Sequence, residues 1–234
     1  MDSTRTSAIA TGVLLLIATA SAVGASAVAP LLTGPGYLSG VAAHPDQLAL
    51  AACLYLLAAG TSASTAVALY PLLRRRHPAA ALGAVVFRTI EAVMYSIGVV
   101  SLLSILPLAR SQEAAPAAIA ATIQVSADSL LSVRDSASLV GVFAFCVGSL
   151  LHSFALYETR AIPRWLSGWG VAASLAVLTA CMLSVFSGQP ITGYVLLIVP
   201  IFGQEMVLAT WLLLKGFTPQ RPAQLATAVE RTAA

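Results

Sequence analysis

AAALGAVVFRTIEAVMYSIGVVSLLSILP, residues 79–107, carries only two charges, Arg88 and Glu91, in an otherwise apolar run. A helix needs about 20 mainly apolar residues to cross the roughly 30 Å hydrocarbon core of a bilayer. This stretch exceeds that requirement. It is too long for a strand and shows no alternation of period two, so it predicts a membrane-spanning helix.

Working outward, five further stretches meet the same criterion: residues 8–29, 47–73, 136–157, 165–187 and 191–215. The fold class expected is therefore all-α, a polytopic bundle of six transmembrane helices spanning residues 1–217. Residues 218–234 form a polar, proline-containing tail expected on the cytoplasmic side. The longest connection, residues 108–135, is expected outside. Its Ala-rich part after Pro116 predicts helix, either lying on the outer surface or extending the fourth span outward. No internal repeat is evident, so the inverted-repeat signature of many transporters is not readable.

Composition agrees with lipid as the solvent. The chain is 59% hydrophobic and 9% charged, whereas soluble domains carry about 25% charged residues. The formal charge of +3 sits in the gaps between apolar runs, which points to membrane orientation and away from nucleic acid. With the N-terminus inside, the cytoplasmic segments hold Arg5, Arg74, Arg75, Arg76, Arg160, Arg164, Lys215, Arg221 and Arg231. The outer segments hold Arg110 and Arg134 alone. That bias fits an even number of spans with both termini cytoplasmic. Lys215 is the only lysine, and alanine is in excess, a composition expected of a GC-rich bacterial genome and hence of a bacterial plasma (inner) membrane.

One competing expectation concerns the start. Arg5, the run Val13-Leu14-Leu15-Leu16-Ile17 and then Ala25-Ser26-Ala27 resemble a cleavable signal peptide. Cleavage would leave five spans. The apolar stretch continues to Leu32, so a retained helix is the expectation.

Helix packing in lipid relies on small residues. Gly60 and Ser64 in the second span, and Gly170 and Ser174 in the fifth, are each four apart and predict close helix contacts. Tyr70, Trp165, Trp169 and Trp211 lie towards helix ends, where interfacial anchors belong. Cys53, Cys146 and Cys181 all lie in apolar runs without C-x-x-C spacing. They read as packing residues, not as a disulfide framework or zinc site.

The candidate site comes from intramembrane polarity. An ionisable group at mid-bilayer costs about 2.5–3.5 kcal/mol on insertion scales, so each such group needs a partner or a task. In the third span Arg88, Glu91 and Tyr95 share one helix face, which Ala84 and Gly98 extend. The fourth span carries His152, with Gly141 and Gly148 on roughly its face. The sixth carries Gln204 and Glu205 after Pro200, a proline expected to kink the helix and free a carbonyl. Counting about 1.5 Å per residue from the cytoplasmic ends puts Arg88 and Glu205 both roughly 15 Å deep. They meet if spans three, four and six are neighbours. Arg88 keeps its charge and requires a carboxylate or a polar cavity. Glu91 is its local partner. Glu205 is then a second carboxylate, whose surplus charge a proton would balance, with His152 placed to exchange it.

The same cluster also has a structural reading, since a buried ion pair fixes helix register by the cost of breaking it. His152 reads equally as a hydrogen-bonded interior residue. No P-loop, H-E-x-x-H, nucleophile elbow or paired haem histidines occur, and the lysine is not at midspan. No cofactor and no metal are expected.

Several stretches together carry a resemblance. They are residues 69–75 (LYPLLRR), 87–92 (FRTIEA), Arg134-Asp135, 163–170 (PRWLSGWG) and 204–217 (QEMVLATWLLLKGF). The chain resembles the bacterial multi-pass membrane family known as "domain of unknown function forty-three eighty-six". The resemblance implies a multi-helix inner-membrane protein and supplies no activity. It places Arg88, Glu91, Pro163, Arg164, Trp165, Glu205, Trp211, Lys215 and Gly216 on recurring motif positions.

The leading functional expectation is a membrane protein that binds or carries a small apolar or amphipathic molecule or a lipid, with Arg88, Glu91 and Glu205 lining its cavity. One alternative is a structural or accessory subunit in which the cluster only locks the bundle. The other is an intramembrane cyclase or isomerase that uses a protonated glutamic acid. A carrier requires a cavity reaching the cluster. An enzyme requires a pocket of about 300–1,000 Å³ with convergent polar groups. A structural subunit requires a dry, paired cluster.

Overall fold

The computed structural model describes residues 3–27, 29–34 and 36–218; the polar tail from 219 onward lies outside the described residues. The described chain is helical, with no strand among the described residues. Helices α1 (Ser3–Ser26), α2 (Tyr37–Ala43), α3 (Pro45–Leu73), α4 (Pro78–Glu113), α5 (Ala117–Thr159), α6 (Arg164–Ser187) and α7 (Val195–Leu214) follow in order. Short 3₁₀ turns, Ala29–Leu32 and Ile191–Tyr194, precede α2 and α7. Six of these helices are long and apolar enough to cross a membrane.

Prolines punctuate the elements. Pro45 and Pro78 open α3 and α4 in the first turn, where a missing N–H costs nothing. Pro116 and Pro163 stand just before α5 and α6. Within 108–135 the helix expected after Pro116 is present and runs without a break into the fourth span. Helix α4 continues to Glu113, the chain turns at Ala114-Ala115-Pro116, and α5 is already helical from Ala117. At 36 and 43 residues, α4 and α5 measure about 54 and 64 Å, well beyond a roughly 30 Å hydrocarbon core. The sixth span starts at Ile191, as expected, with residues 191–194 forming a 3₁₀ turn that leads into α7.

The spans close into a ring. Helix α1 packs on α3, α3 on α4, α4 on α5, α5 on α6, α6 on α7, and α7 returns to α1. The expectation that spans three, four and six are mutual neighbours holds for α4 and α5. Helix α7 instead has α1 and α6 as its principal neighbours. Large apolar side chains point outward, as with Phe186 at 87% and Leu196 at 85% exposure; water would penalise that surface and lipid does not. Small side chains fill the inside, among them Ala8, Ala81, Ala155, Ala173, Ala180 and Ala209.

Glycine is required at two approaches. A Cβ on Gly12 of α1 would stand 2.9 Å from Leu213 Cγ and 3.0 Å from the Ala209 carbonyl oxygen of α7. A Cβ on Gly148 of α5 would stand 3.2 Å from Arg88 Cγ and 3.4 Å from the Ala84 carbonyl oxygen of α4. The expected Gly170/Ser174 pair is indeed a packing contact, buried against α5. The Gly60/Ser64 pair is not. Both residues are exposed, Ser64 bonds back to the Gly60 carbonyl, and an added Cβ at Gly60 meets nothing.

At one end of the bundle α2 lies against α4, and Leu38, Val41 and Leu48 join Leu102, Ile105, Ala109 and Ala127 in one apolar cluster. Tyr37 pins this cap by donating its hydroxyl to Asp128 (3.0 Å), which also accepts from Gln124 (2.8 Å). Burial, reinforced by the Asp128 carboxylate, pushes the Tyr37 phenol above its ordinary value.

Replacing Gly12 by Val is expected to cost about 1–3 kcal/mol by overpacking and to lower the thermal midpoint in detergent. Gly60→Ala should leave the midpoint unchanged or raise it, since a helical Gly costs up to about 1 kcal/mol relative to Ala. Because the Tyr37 value is raised in the folded state, its contribution is complete below the usual tyrosine value of 10.0 and is lost as pH rises beyond it. Spectrophotometric titration should show a delayed phenolate transition that is lost in Tyr37→Phe.

Candidate functional site

The polar interior is built from one-residue contributions of several spans. Helix α4 supplies Arg88 and Glu91, one turn apart, and both are buried, at 2% and 3% exposure. Arg88 Nη1 donates to Glu91 Oε2 (3.1 Å) and to Ser62 Oγ of α3 (2.8 Å). The Ser62 hydroxyl in turn donates to Glu91 Oε2 (2.9 Å). This triangle satisfies one guanidinium edge and one carboxylate oxygen with a single neutral hydroxyl shared between them.

The other side of the guanidinium faces α7. Arg88 Nη2 lies 3.6 Å from Glu205 Oε1, an ion pair without a hydrogen bond. Glu205 Oε2 accepts from Thr19 Oγ1 of α1 (2.8 Å). The face of the guanidinium rests over the Phe145 ring of α5, 4.2 Å from its centroid, a cation–π contact that suits a desolvated cation. Arg88 Nε is buried and makes no hydrogen bond. One side chain thus touches α3, α5 and α7 from its base on α4, and Thr19 ties in α1.

Of the residues marked in the sequence, the structure joins Arg88, Glu91 and Glu205 directly. Tyr95 lies one turn beyond Glu91, half-buried, with its ring against Gly141 of α5. His152 is buried on α5, its Nδ1 makes no hydrogen bond, and no hydrogen bond or ion pair joins it to Glu205. Gln204 turns away from the cluster towards α6, its amide 3.5 Å from the Leu166 carbonyl and beside Gly170. There it extends a second polar seam, in which Ser174 Oγ donates to Ser149 Oγ (2.9 Å) and to the Gly170 carbonyl (2.8 Å).

Three contributors were missed in the sequence. Thr19 sits in the stretch that resembles a signal peptide. Ser62 is one of four hydroxyl residues in its span that read as packing groups. Phe145 is apolar and carries no polarity signal. Cys146 of α5 and Cys181 of α6, read as packing residues, are both buried and both free thiols.

Two shallow grooves mark the surface. One, about 310 Å³, runs along α7 past Met206, Val207, Thr210, Trp211, Leu214 and Lys215. The other, about 220 Å³, lies between α5 and α6 and includes Phe143, Cys181 and Met182. Neither reaches Arg88, Glu91 or Glu205. Among the described residues no group of three metal-ligating side chains is assembled.

Arg88→Met should destabilise the bundle by about 3–5 kcal/mol, because it strands two buried carboxylates. Ser62→Ala should cost about 1–3 kcal/mol. Both are read as falls in thermal midpoint by circular dichroism in a mild detergent, and the Arg88 effect should be the larger.

Comparison with known proteins returns one family: the model for Domain of unknown function (DUF4386) matches residues 10–216. No curated protein and no solved structure matches the chain.

Proposed function

We propose, on the premise that the chain belongs to the family described as Domain of unknown function (DUF4386), that this multi-pass membrane protein is a structural or accessory subunit whose Arg88–Glu91–Glu205 cluster clamps the ring of spans. The single observation behind this reading is the closure of the cluster. Arg88 is 2% exposed, lies against both carboxylates, and is roofed by Phe145. A carrier or an enzyme of apolar substrates requires an opening to those groups, and neither surface groove supplies one. The arginine excess on one side of the spans supports cytoplasmic termini, and the composition supports a bacterial inner membrane as the location.

A specific observation favours a second reading. The Glu205 side chain is 11% exposed, against 3% and 4% for Arg88 and Glu91, and it is the carboxylate held less tightly by the arginine. A small amphipathic molecule bound in the interior would approach from that side.

Neutralising the whole set separates the two. The triple variant Arg88→Met, Glu91→Gln, Glu205→Gln leaves no charge stranded, and replacing a buried ion network by uncharged groups is frequently neutral. The structural reading expects it to melt within a few degrees of wild type and well above Arg88→Met alone. It fails if native mass spectrometry finds a small molecule that survives purification on wild type and is lost from the folded triple variant.

A further inference from the structure

We infer that the α7 groove is a binding site for one anionic phospholipid, with an acyl chain along Met206, Val207 and Leu214 and the phosphate at Lys215. The groove is independent of the charged cluster, which faces the ring interior from the opposite side of α7. Its residues, at positions 206, 207, 210, 211, 214 and 215, recur at helical spacing and form one outward stripe.

Three features select the occupant. The lining is apolar except at one end, and that end carries the chain's only lysine. From Met206 to Leu214 the stripe runs about 12 Å, close to the half-thickness of a roughly 30 Å hydrocarbon core, so it matches the acyl layer of a single leaflet. Thr210 has its hydroxyl committed to the Met206 carbonyl (2.8 Å) and presents only its methyl-bearing side. Trp211 has its indole Nε1 buried and offers ring surface, not a polar group.

The head-group end is electropositive beyond Lys215. Arg5 donates to the Leu212 and Leu213 carbonyls (3.3 and 2.7 Å), so a second cation stands at the C-terminus of α7. Gly216, with φ +74°, makes this possible, since a Cβ there would stand 3.0 Å from Arg5 Nη1. Arg5 occupies the last carbonyls of the helix, so Lys215 is not needed to neutralise that helix end. Lys215 is exposed and makes no ion pair among the described residues. A basic residue at the membrane face of a spanning helix attracts anionic head groups, and an exposed ammonium above an apolar stripe discriminates phosphatidylglycerol from a zwitterionic lipid of the same chains.

The test uses full-length protein in nanodiscs of equimolar phosphatidylglycerol and phosphatidylcholine, released into native mass spectrometry. Wild type should retain phosphatidylglycerol in preference. Lys215→Gln should lower that retention at least several-fold, Lys215→Arg should keep it, and Arg110→Gln, remote from the groove, should leave it unchanged. Val207→Trp, which fills the stripe and leaves the charge in place, should lower retention of both lipids. Equal retention by wild type and Lys215→Gln overturns the assignment. So does a dimer mass in which the groove is occupied by a second copy and which Val207→Trp dissociates. Circular dichroism confirms that each variant is folded. If Lys215→Gln does not fold, Val207→Trp decides alone, and unchanged retention by it overturns the site.

Discussion

A guanidinium that cannot shed its charge has been placed in the middle of a bundle whose outside is lipid, and the rest of the interior answers to that fact. Arg88 needs carboxylates within reach, and one on its own helix is not enough to hold neighbouring helices. Glu91 satisfies it locally; Glu205 makes it a link to α7, Ser62 a link to α3, and Phe145 a link to α5. Each added partner recruits another span. A ring of six helices with no charged centre would depend on close packing of small side chains and on weaker polar links such as Ser174–Ser149, since lipid tails exert no hydrophobic force between helices.

Close approach and charge are therefore one design. The arginine stem passes directly over Gly148, where a β-carbon would stand 3.2 Å from Arg88 Cγ. The pair α4–α5 can come together around a long polar side chain only because α5 offers no side chain there. Gly12 does the corresponding service where α7 closes on α1, and that closure brings Thr19 to Glu205. Removal of α1 at Ala27 would take Thr19 with it and open the ring between α3 and α7.

Much of this was legible in the sequence. Spans needed only length and apolarity, and the depths of Arg88 and Glu205, counted along their own helices, put the two at one level and so allowed them to meet. What was not legible depends on which helices are neighbours. Periodicity carries no information on neighbours: it could not tell that Gly60 faces outward while Gly170 faces in, nor that Gln204, adjacent in sequence to Glu205, belongs to a different polar seam. The contacts of Thr19 and Ser62 escaped for a related reason. A hydroxyl in a membrane helix can always bond its own backbone one turn back, as Ser64 does, so its presence alone never marks a partner on another span. The Ala-rich stretch after Pro116 did signal helix, and of the two placements the sequence left open the structure takes the continuous one, with α5 unbroken from Ala117 to Thr159.

The two sides of the arginine are unequal, and the inequality organises the molecule. Towards α3 the geometry is closed: a carboxylate, a hydroxyl and two guanidinium hydrogen bonds on nearly the same atoms. Towards α7 it is looser, with a 3.6 Å ion pair and an unpartnered Nε beneath. Arg88 thus holds α3 by a hydrogen bond and α7 by an ion pair alone. Conformational change in packed bundles takes place along the weaker seam, since well-packed interfaces switch between discrete arrangements and do not deform gradually. Of the arginine's contacts the one to α7 is therefore the first to give, and α7 carries both Glu205 on its inner face and the lysine-capped apolar stripe on its outer one.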